Sequence, residues 1–132
     1  MILVDTNIVV DVLTGDPNWS EWSIIAIRDN AAGNRLCVNE VIYAELAVRI
    51  AEEGQLTQIL SDMNCQLERM PTAALHLAGR TFGRYRDRGG LRTNVLPDFF
   101  IGAHAQTSGM RILTRDLRRF RTYFPDVELI AP

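Results

Sequence analysis

Two aspartates follow short apolar runs that the sequence predicts to be strands of one sheet. Asp5 comes directly after Ile2–Val4, and Asp116 comes two residues after the run 111–114. Runs of this kind are typical of buried strands. The carboxyl ends of parallel strands lie at one edge of a sheet, where such sheets place their functional groups, so we expect both carboxylates to project from that edge.

A third aspartate reaches the same edge through a helix. Asp98 follows Pro97 at the start of a predicted helix that ends near Gly109. A helix that leads into a parallel strand runs antiparallel to that strand, so it begins at the carboxyl edge of the sheet. We therefore expect Asp98 to lie near Asp5 and Asp116.

Glu45 is the fourth acidic candidate, and it lies inside a predicted helix rather than at its start. The helix begins after Asn39, which places Glu45 roughly 8 Å along the axis at about 1.5 Å per residue. Val41, Ile42 and Val48 are three or four positions away, so Glu45 occupies the face expected to turn toward the core. A charge there needs a partner, and the helix must cross the sheet edge obliquely for Glu45 to join the aspartates.

The expected cluster of carboxylates predicts a metal site. Clustered carboxylates raise one another's pKa values unless a cation neutralises them, and oxygen-only ligands suit Mg²⁺ or Mn²⁺. Each acid also has an ordinary explanation, because the aspartates could cap helices and Glu45 could pair with Arg49. Their convergence favours metal-activated water, since no serine or cysteine nucleophile motif occurs and His76 and His104 are interpreted as packing or surface residues.

Length and composition indicate one domain, residues 1–132, with an ordinary packed core. Apolar residues make up 47% of the chain and charged residues 23%, close to the average of globular proteins. Asp5 and Asp11 interrupt the apolar start, and no run approaches a membrane span, so we expect a cytoplasmic protein without membrane contact. Cys37 and Cys65 lie in apolar segments without ligand spacing and are predicted to be buried thiols.

The basic residues are unusual in kind and in placement. All 14 are arginine, and ten of them lie between residues 80 and 121. The formal net charge of −2 therefore hides a basic half that would suit phosphate, which guanidinium groups bind through two parallel hydrogen bonds. Arginine-rich codon usage with solvated helix faces is the ordinary alternative. The absence of lysine argues against aspartate-nucleophile phosphohydrolases and response-receiver domains, which place a lysine near the phosphoryl group.

The chain alternates predicted strands and helices. Helices are expected between the strands, among them 39–54 and 71–85. The five strands are predicted at 2–4, 35–38, 65–70, 111–114 and 127–130. Such alternation predicts an α/β fold, a three-layer α/β/α sandwich with a mainly parallel central sheet.

Four short segments stand out by their order and spacing. They are 1–7 (MILVDTN), 40–45 (EVIYAE), 96–105 (LPDFFIGAHA) and 112–116 (ILTRD). Together they resemble the PIN domain family and, within it, the VapC-type toxins of bacterial toxin–antitoxin pairs. The resemblance covers essentially the whole chain and implies a PIN-like fold.

The resemblance implies that Asp5, Glu45, Asp98 and Asp116 form an acidic pocket. It also implies that three polar side chains support this pocket by hydrogen bonds, namely Thr6, Asn7 and Thr114. Glu40 is the rival of Glu45, but five helical positions rotate the two by roughly 140°, and the sequence context favours Glu45. The implied activity is that of an endoribonuclease that hydrolyses RNA phosphodiester bonds with Mg²⁺ or Mn²⁺.

The same resemblance implies an RNA substrate and protein partners. The arginines expected to hold the RNA strand are Arg80, Arg84, Arg86, Arg88, Arg92, Arg115, Arg118 and Arg119. A VapC-like protein further implies a homodimer and a cognate antitoxin whose tail masks the pocket. The alternative is a non-catalytic module with a PIN-like fold, which binds RNA or protein on the arginine-rich face while its acids serve as caps.

Overall fold

The computed structural model describes residues 1–90 and 95–132. Short apolar strands alternate with helices, as the sequence predicts. The strands are β1 (Ile2–Val4), β2 (Leu36–Val38), β3 (Cys65–Leu67), β4 (Arg111–Leu113) and β5 (Leu129–Ile130). The helices are α1 (Thr6–Thr14), α2 (Ser20–Ala31), α3 (Glu40–Ala47), α4 (Glu53–Asp62), α5 (Thr72–Asp87), α6 (Leu96–Ser108) and α7 (Arg118–Tyr123).

The five described strands form one parallel sheet in the order β3-β2-β1-β4-β5. Val4 of β1 pairs with Leu113 of β4, and Leu3 pairs with Cys37 of β2, so the three central strands end at one edge. Every residue of β1 and β2 is buried, as expected where helices cover both faces of a parallel sheet. The predicted three-layer α/β/α sandwich is confirmed.

Helix α6, which carries Asp98 in its first turn, is held tightly by its neighbours. Its residues Phe99 and Ile101 are fully buried, and it packs against α3, α5 and α7. At Gly102 a Cβ atom would lie 2.2 Å from Cδ2 of Phe124, so only glycine permits this approach. The close contact fixes α6 against the segment that follows α7.

The helix predicted from 39 to 54 ends earlier than expected, at Ala47. Helix α3 ends at Ala47, where the N–H groups of Val48 and Arg49 donate to carbonyls three residues back, at 3.3 and 3.0 Å. Such bonds tighten the last turn and end the helix, which the apolar periodicity does not reveal. Val48, placed on the core-facing side by the sequence pattern, is 86% exposed, so that prediction was wrong. Gly54, predicted to stop the helix, lies in the first turn of α4.

Strands β2 and β4 are each one residue shorter than predicted, and β3 and β5 are shorter by more than one residue. Strand β3 ends at Leu67 rather than at residue 70, because the N–H of Met70 donates to the side chain of Glu40 at 3.0 Å instead of to a strand. Strand β5 begins at Leu129 rather than at residue 127, because Val127 donates its N–H to the carbonyl of residue 124, 3.1 Å away, in a turn. A hydrogen bond to a side chain after β3 and a turn hydrogen bond before β5 thus replace the bonds that would extend these strands.

The two cysteines are buried free thiols, as predicted. Burial raises the pKa of Cys37 to about 11 and that of Cys65 to about 12, so both remain protonated at neutral pH. Of the helices in the described parts of the chain, none is long and apolar enough to cross a membrane.

Candidate active site

Asp5 is the most deeply buried of the four predicted acids, with 5% of its surface exposed. It caps the N-terminus of α1, and its Oδ1 accepts the backbone N–H of Thr6 at 2.7 Å. Its Oδ2 accepts the hydroxyl of Thr114 at 2.7 Å and the amide of Asn7 at 3.3 Å. Because β1 and β4 are neighbours, Asp5 and Thr114 emerge side by side at the carboxyl edge of the sheet.

Glu45 reaches the same edge through a hydrogen bond to α1. The hydroxyl of Thr6 donates to Oε1 of Glu45 at 2.7 Å, and the carboxylate is half-buried. The alternative ion pair with Arg49 does not form among the described residues. Glu40, the rival acid on α3, accepts the N–H of Met70 instead, as the helical rotation between the two glutamates requires.

Asp98 lies in the first turn of α6, directly after Pro97, as predicted. Its Oδ2 accepts a hydrogen bond from Nη1 of Arg119, which lies on α7. The guanidinium carbon of Arg119 is also 5.8 Å from the ring centroid of Tyr85, a cation–π contact. The predicted acid is therefore present at the edge, and a basic side chain already binds it.

Asp116 lies beyond the end of β4 and is exposed to solvent. Its backbone N–H donates to the hydroxyl of Thr114 at 3.0 Å, and its Oδ1 accepts the N–H of Arg118 at 3.2 Å. Thr114 therefore bonds to Asp5 and to the backbone of Asp116, which ties the loop after β4 to the end of β1.

The four predicted acids line one cleft of about 490 Å³ at the carboxyl edge of the sheet. The other residues of its lining are Thr6, Asn7, Val10, Val48, Arg49 and Arg115. Within residues 1–90 and 95–132, no group of three side chains from Asp, Glu, His or Cys lies close enough together to share one metal ion. The oxygen-only donors nevertheless suit a hard divalent cation, and three of the four acids have no ion-pair partner among the described residues.

Burial and mutual repulsion raise the pKa values of three acids of this cleft, Asp5, Glu45 and Asp98. Burial raises the pKa of Asp5 to about 7, and the charges of Asp98 and Glu45 add to the rise, while hydrogen bonds from Thr114 and Thr6 oppose it. Burial is also the main cause of the raised pKa values of Glu45 and Asp98. A bound cation would reverse these shifts, so the electrostatics fit the predicted metal site.

Arg115 is anchored by a buried acid that the sequence reasoning did not select. Its Nε and Nη2 donate to the two carboxylate oxygens of Asp11 at 2.6 and 2.8 Å, and its guanidinium carbon lies 5.0 Å from the ring centroid of Trp19. Asp11 is 2% exposed and also accepts the hydroxyl of Ser23 at 2.9 Å. Its position within the apolar start of α1 was the available signal, because a buried carboxylate requires a partner.

The predicted RNA-binding arginines differ in their distance from the cleft. Arg115 lines it, and Arg119 contacts one of its acids. Those on α5 and at its end are exposed, namely Arg80, Arg84, Arg86 and Arg88. Arg118 is exposed next to Asp116, and Arg92 lies outside the described residues. Arg49, which the sequence reasoning treated only as a partner for Glu45, lies in the lining of the cleft.

A larger groove of about 960 Å³ runs along β3 and the helices α3 and α4. Its lining includes apolar side chains such as Tyr43, Ile50 and Leu56. Glu53 is the one carboxylate among its described lining residues, so this groove has no cluster of acids. The four predicted acids lie in the smaller cleft, and their carboxylate oxygens are donors that suit a hard divalent cation.

The sequence matches the PIN domain family over residues 2–125, and the chain belongs to this family. Among curated proteins, no sequence matches it. In structure, the chain is similar to VapBC2 from Rickettsia felis bound to a DNA fragment from their promoter, with a TM-score of 0.77 and 18% identity over 100% of this chain and 99% of the other.

Two further structures give the same fold. VapBC-1 from nontypeable Haemophilus influenzae has a TM-score of 0.72 and 19% identity over 99% of this chain and 98% of the other. A toxin–antitoxin complex from Klebsiella pneumoniae has a TM-score of 0.66 and 21% identity over 91% of this chain and 90% of the other. The predicted PIN fold is confirmed.

Proposed function

We propose that this chain is a single nuclease domain, a metal-dependent endoribonuclease that acts as the toxin of a toxin–antitoxin pair. The observation that carries the proposal is the convergence of four carboxylates, distant in the sequence, on one cleft. Buried acids that repel one another are costly to keep ionised unless a cation compensates them. The membership of the chain in the PIN domain family gives independent support.

In this proposal, Asp5, Glu45, Asp98 and Asp116 hold Mg²⁺ or Mn²⁺. When bound, such an ion lowers the pKa of a water molecule and stabilises charge on the leaving oxygen of a phosphodiester. The supporting side chains orient the ligands, because Thr6 binds Glu45 while Asn7 and Thr114 bind Asp5. The hydrogen bonds keep both carboxylates turned toward the cleft.

The substrate and partner parts of the proposal rest on charge and on likeness. Ten arginines between residues 80 and 121 give the chain a basic half that suits the phosphates of an RNA strand. The similar structures are VapBC assemblies and a toxin–antitoxin complex, which supports a cognate antitoxin for this chain. A homodimer and a place in the cytoplasm complete the proposal.

One observation favours a second candidate, a non-catalytic module that binds RNA or protein. Asp98 is bound to Arg119, and no three acids of the described chain are gathered closely enough to share an ion. This candidate requires no divalent metal for binding. The nuclease requires it for cleavage and loses activity in a chelator.

The test is expression of the wild type and of Asp5→Asn in cells that contain no antitoxin, followed by mapping of cleaved RNA ends. The nuclease proposal predicts growth arrest and new RNA ends for the wild type alone. Cleavage by the purified wild type should need Mg²⁺ or Mn²⁺ and stop in chelator. Equal growth and intact RNA for both proteins would refute the toxin assignment and favour the binding module.

A further inference from the structure

Arg119 forms an ion pair with Asp98, one of the four acids that line the cleft. Of the four acids in the cleft, Asp98 alone has an ion-pair partner among the described residues. The pair links α6 to α7, and both side chains are partly solvated, with 26% of Asp98 and 23% of Arg119 exposed. The carboxylate thus has a positive partner before any cation is present.

We propose that Arg119 is an exchangeable counter-ion, which gives up Asp98 when a divalent cation binds the cleft and then binds a phosphate of the RNA strand. This inference rests on the proposed function, because it concerns the same acids. It assigns Arg119 a positioning role that couples cation binding to substrate binding.

The comparison with Arg115 shows why only one of the two arginines is able to exchange. Arg115 donates two hydrogen bonds to Asp11, whose side chain is 3% exposed and also accepts a hydrogen bond from Ser23. Removing this arginine would leave a buried charge without its ion-pair partner. Arg119 donates to one oxygen of a partly solvated carboxylate. Water can stabilise both partners of that pair after separation, so its rupture costs far less.

The contact with Tyr85 gives the released guanidinium a place next to the cleft. The guanidinium carbon of Arg119 lies 5.8 Å from the centroid of this ring, within the range of a cation–π interaction. Tyr85 itself packs against Phe99 and Tyr123, with ring centroids 5.3 and 5.8 Å away, so these contacts hold its ring in place. A guanidinium on this ring keeps its fork of donors for a phosphate.

The first experiment measures Mn²⁺ binding by isothermal titration calorimetry in the wild type, Arg119→Gln and Arg121→Gln. Arg121 is the matched control, because it is an exposed residue of the same helix and its removal changes the net charge equally. Exchange predicts that Arg119→Gln binds Mn²⁺ about fivefold more tightly than Arg121→Gln, because the competitor for Asp98 is gone. Arg119→Lys, which keeps the charge but loses the planar fork, should lie between them.

The second experiment measures binding of a labelled single-stranded RNA in Ca²⁺ and in chelator, with the RNA checked on a gel for integrity. Arg119→Gln should weaken binding relative to Arg121→Gln by about fivefold in Ca²⁺, and much less in chelator, where Arg119 remains on Asp98. Equal RNA affinity of these variants in Ca²⁺ would overturn the phosphate role.

Mn²⁺ binding distinguishes an error in the exchange proposal for Arg119 from an error in the proposed nuclease function. If the wild type binds Mn²⁺ and Arg119→Gln binds it no more tightly than Arg121→Gln, exchange is wrong while the nuclease remains. If the wild type and Arg119→Gln both fail to bind Mn²⁺, the metal site itself is refuted, and this inference falls with it. Circular dichroism of each variant confirms that it is folded.

Discussion

The hydroxyl of Thr6 donates to Glu45 at 2.7 Å, and this bond joins the first turn of α1 to α3 across 39 positions of sequence. The neighbouring N–H of Thr6 binds Asp5 on the other side. One residue therefore orients two of the four acids. The turn that ends α3 after Ala47 then places Arg49 in the lining of the same cleft.

Two glutamates of α3 provide a matched test of the cleft. Glu45→Gln should lower the rate of RNA cleavage at least about a hundredfold, because a neutral amide replaces an anionic ligand. Glu40→Gln should change it by less than about twofold, since the new amide oxygen can still accept the N–H of Met70 and the residue faces away from the cleft. Measured initial rates in Mg²⁺ decide between them, and equal losses would contradict the assignment of Glu45.

The placement of the acids follows from backbone rules that a sequence displays directly. Asp5 and Asp116 follow strands, and Asp98 follows a proline at a helix start, so the parallel sheet brings them to one edge. Glu45 was harder, because its position depends on the angle at which α3 crosses that edge. Of its apolar neighbours, Ile42 is buried but Val48 lies on the surface, so the apolar pattern indicated the face of Glu45 only in part.

The partners of the charged side chains are the part that the sequence did not reveal. Arg119 and Asp98 are 21 positions apart, and Arg115 and Asp11 are 104 apart. Nothing in local spacing links such residues, because their contact depends on how the helices pack on the finished sheet. The early end of α3 is missed because the tightened last turn, in which Val48 and Arg49 donate to carbonyls three residues back, does not alter the apolar periodicity.

Removal of the Arg115 guanidinium should destabilise the fold. Arg115→Leu leaves Asp11 as an uncompensated buried carboxylate, and we expect the free energy of unfolding to fall by about 3 kcal/mol. Arg28→Leu is the control, because Arg28 and Asp29 form an exposed pair that should contribute less than about 0.5 kcal/mol. Urea unfolding followed by circular dichroism measures both, and similar losses would argue against Asp11 as a buried anchor site.

The raised pKa of Asp5 predicts that the contribution of this residue to the stability of the metal-free protein falls as the pH rises. The folded-state pKa is about 7 and the ordinary value is 3.8, so between these values the folded chain holds a proton that the unfolded chain has lost. The free energy of unfolding of the wild type should therefore fall relative to that of Asp5→Asn from about pH 4 to about pH 7.

If the cleft binds Mg²⁺ as proposed, adding Mg²⁺ at pH 7 should recover stability, because the ion then binds the folded chain in preference to the unfolded one. Asp5→Asn should lose the contribution of Asp5, while those of Glu45, Asp98 and His104 remain, and it should lose most of the stabilisation by Mg²⁺. Thermal unfolding at a series of pH values, with chelator and with Mg²⁺, measures both effects. If the wild-type and Asp5→Asn curves run parallel in chelator, the assigned shift is refuted.

The buried imidazole of His104, which lies outside the cleft, predicts a change of stability with pH that is opposite in sign to the contribution of Asp5. Its ring is fully buried, Nδ1 lies 3.2 Å from the amide nitrogen of Asn39, and Nε2 has no hydrogen-bond partner among the described residues. Burial lowers the pKa of His104 below 6.5, although the charges of Glu40 and Glu68 act against this. As the pH falls below about 6.5, the unfolded chain therefore binds a proton at His104 that the folded chain does not bind. The contribution of His104 to stability should be lost in this range.

The comparison of wild type with His104→Asn isolates this effect from that of Asp5. Asparagine does not titrate, so the free energy of unfolding of the wild type should fall relative to that of the variant as the pH drops from 7 to 5, whatever the absolute stability of the variant. His76→Asn is the matched variant, because it removes the other histidine, which is exposed on α5. A constant gap between wild type and His104→Asn over this range would mean that the buried ring accepts its proton without cost, and so has a partner in solution for Nε2.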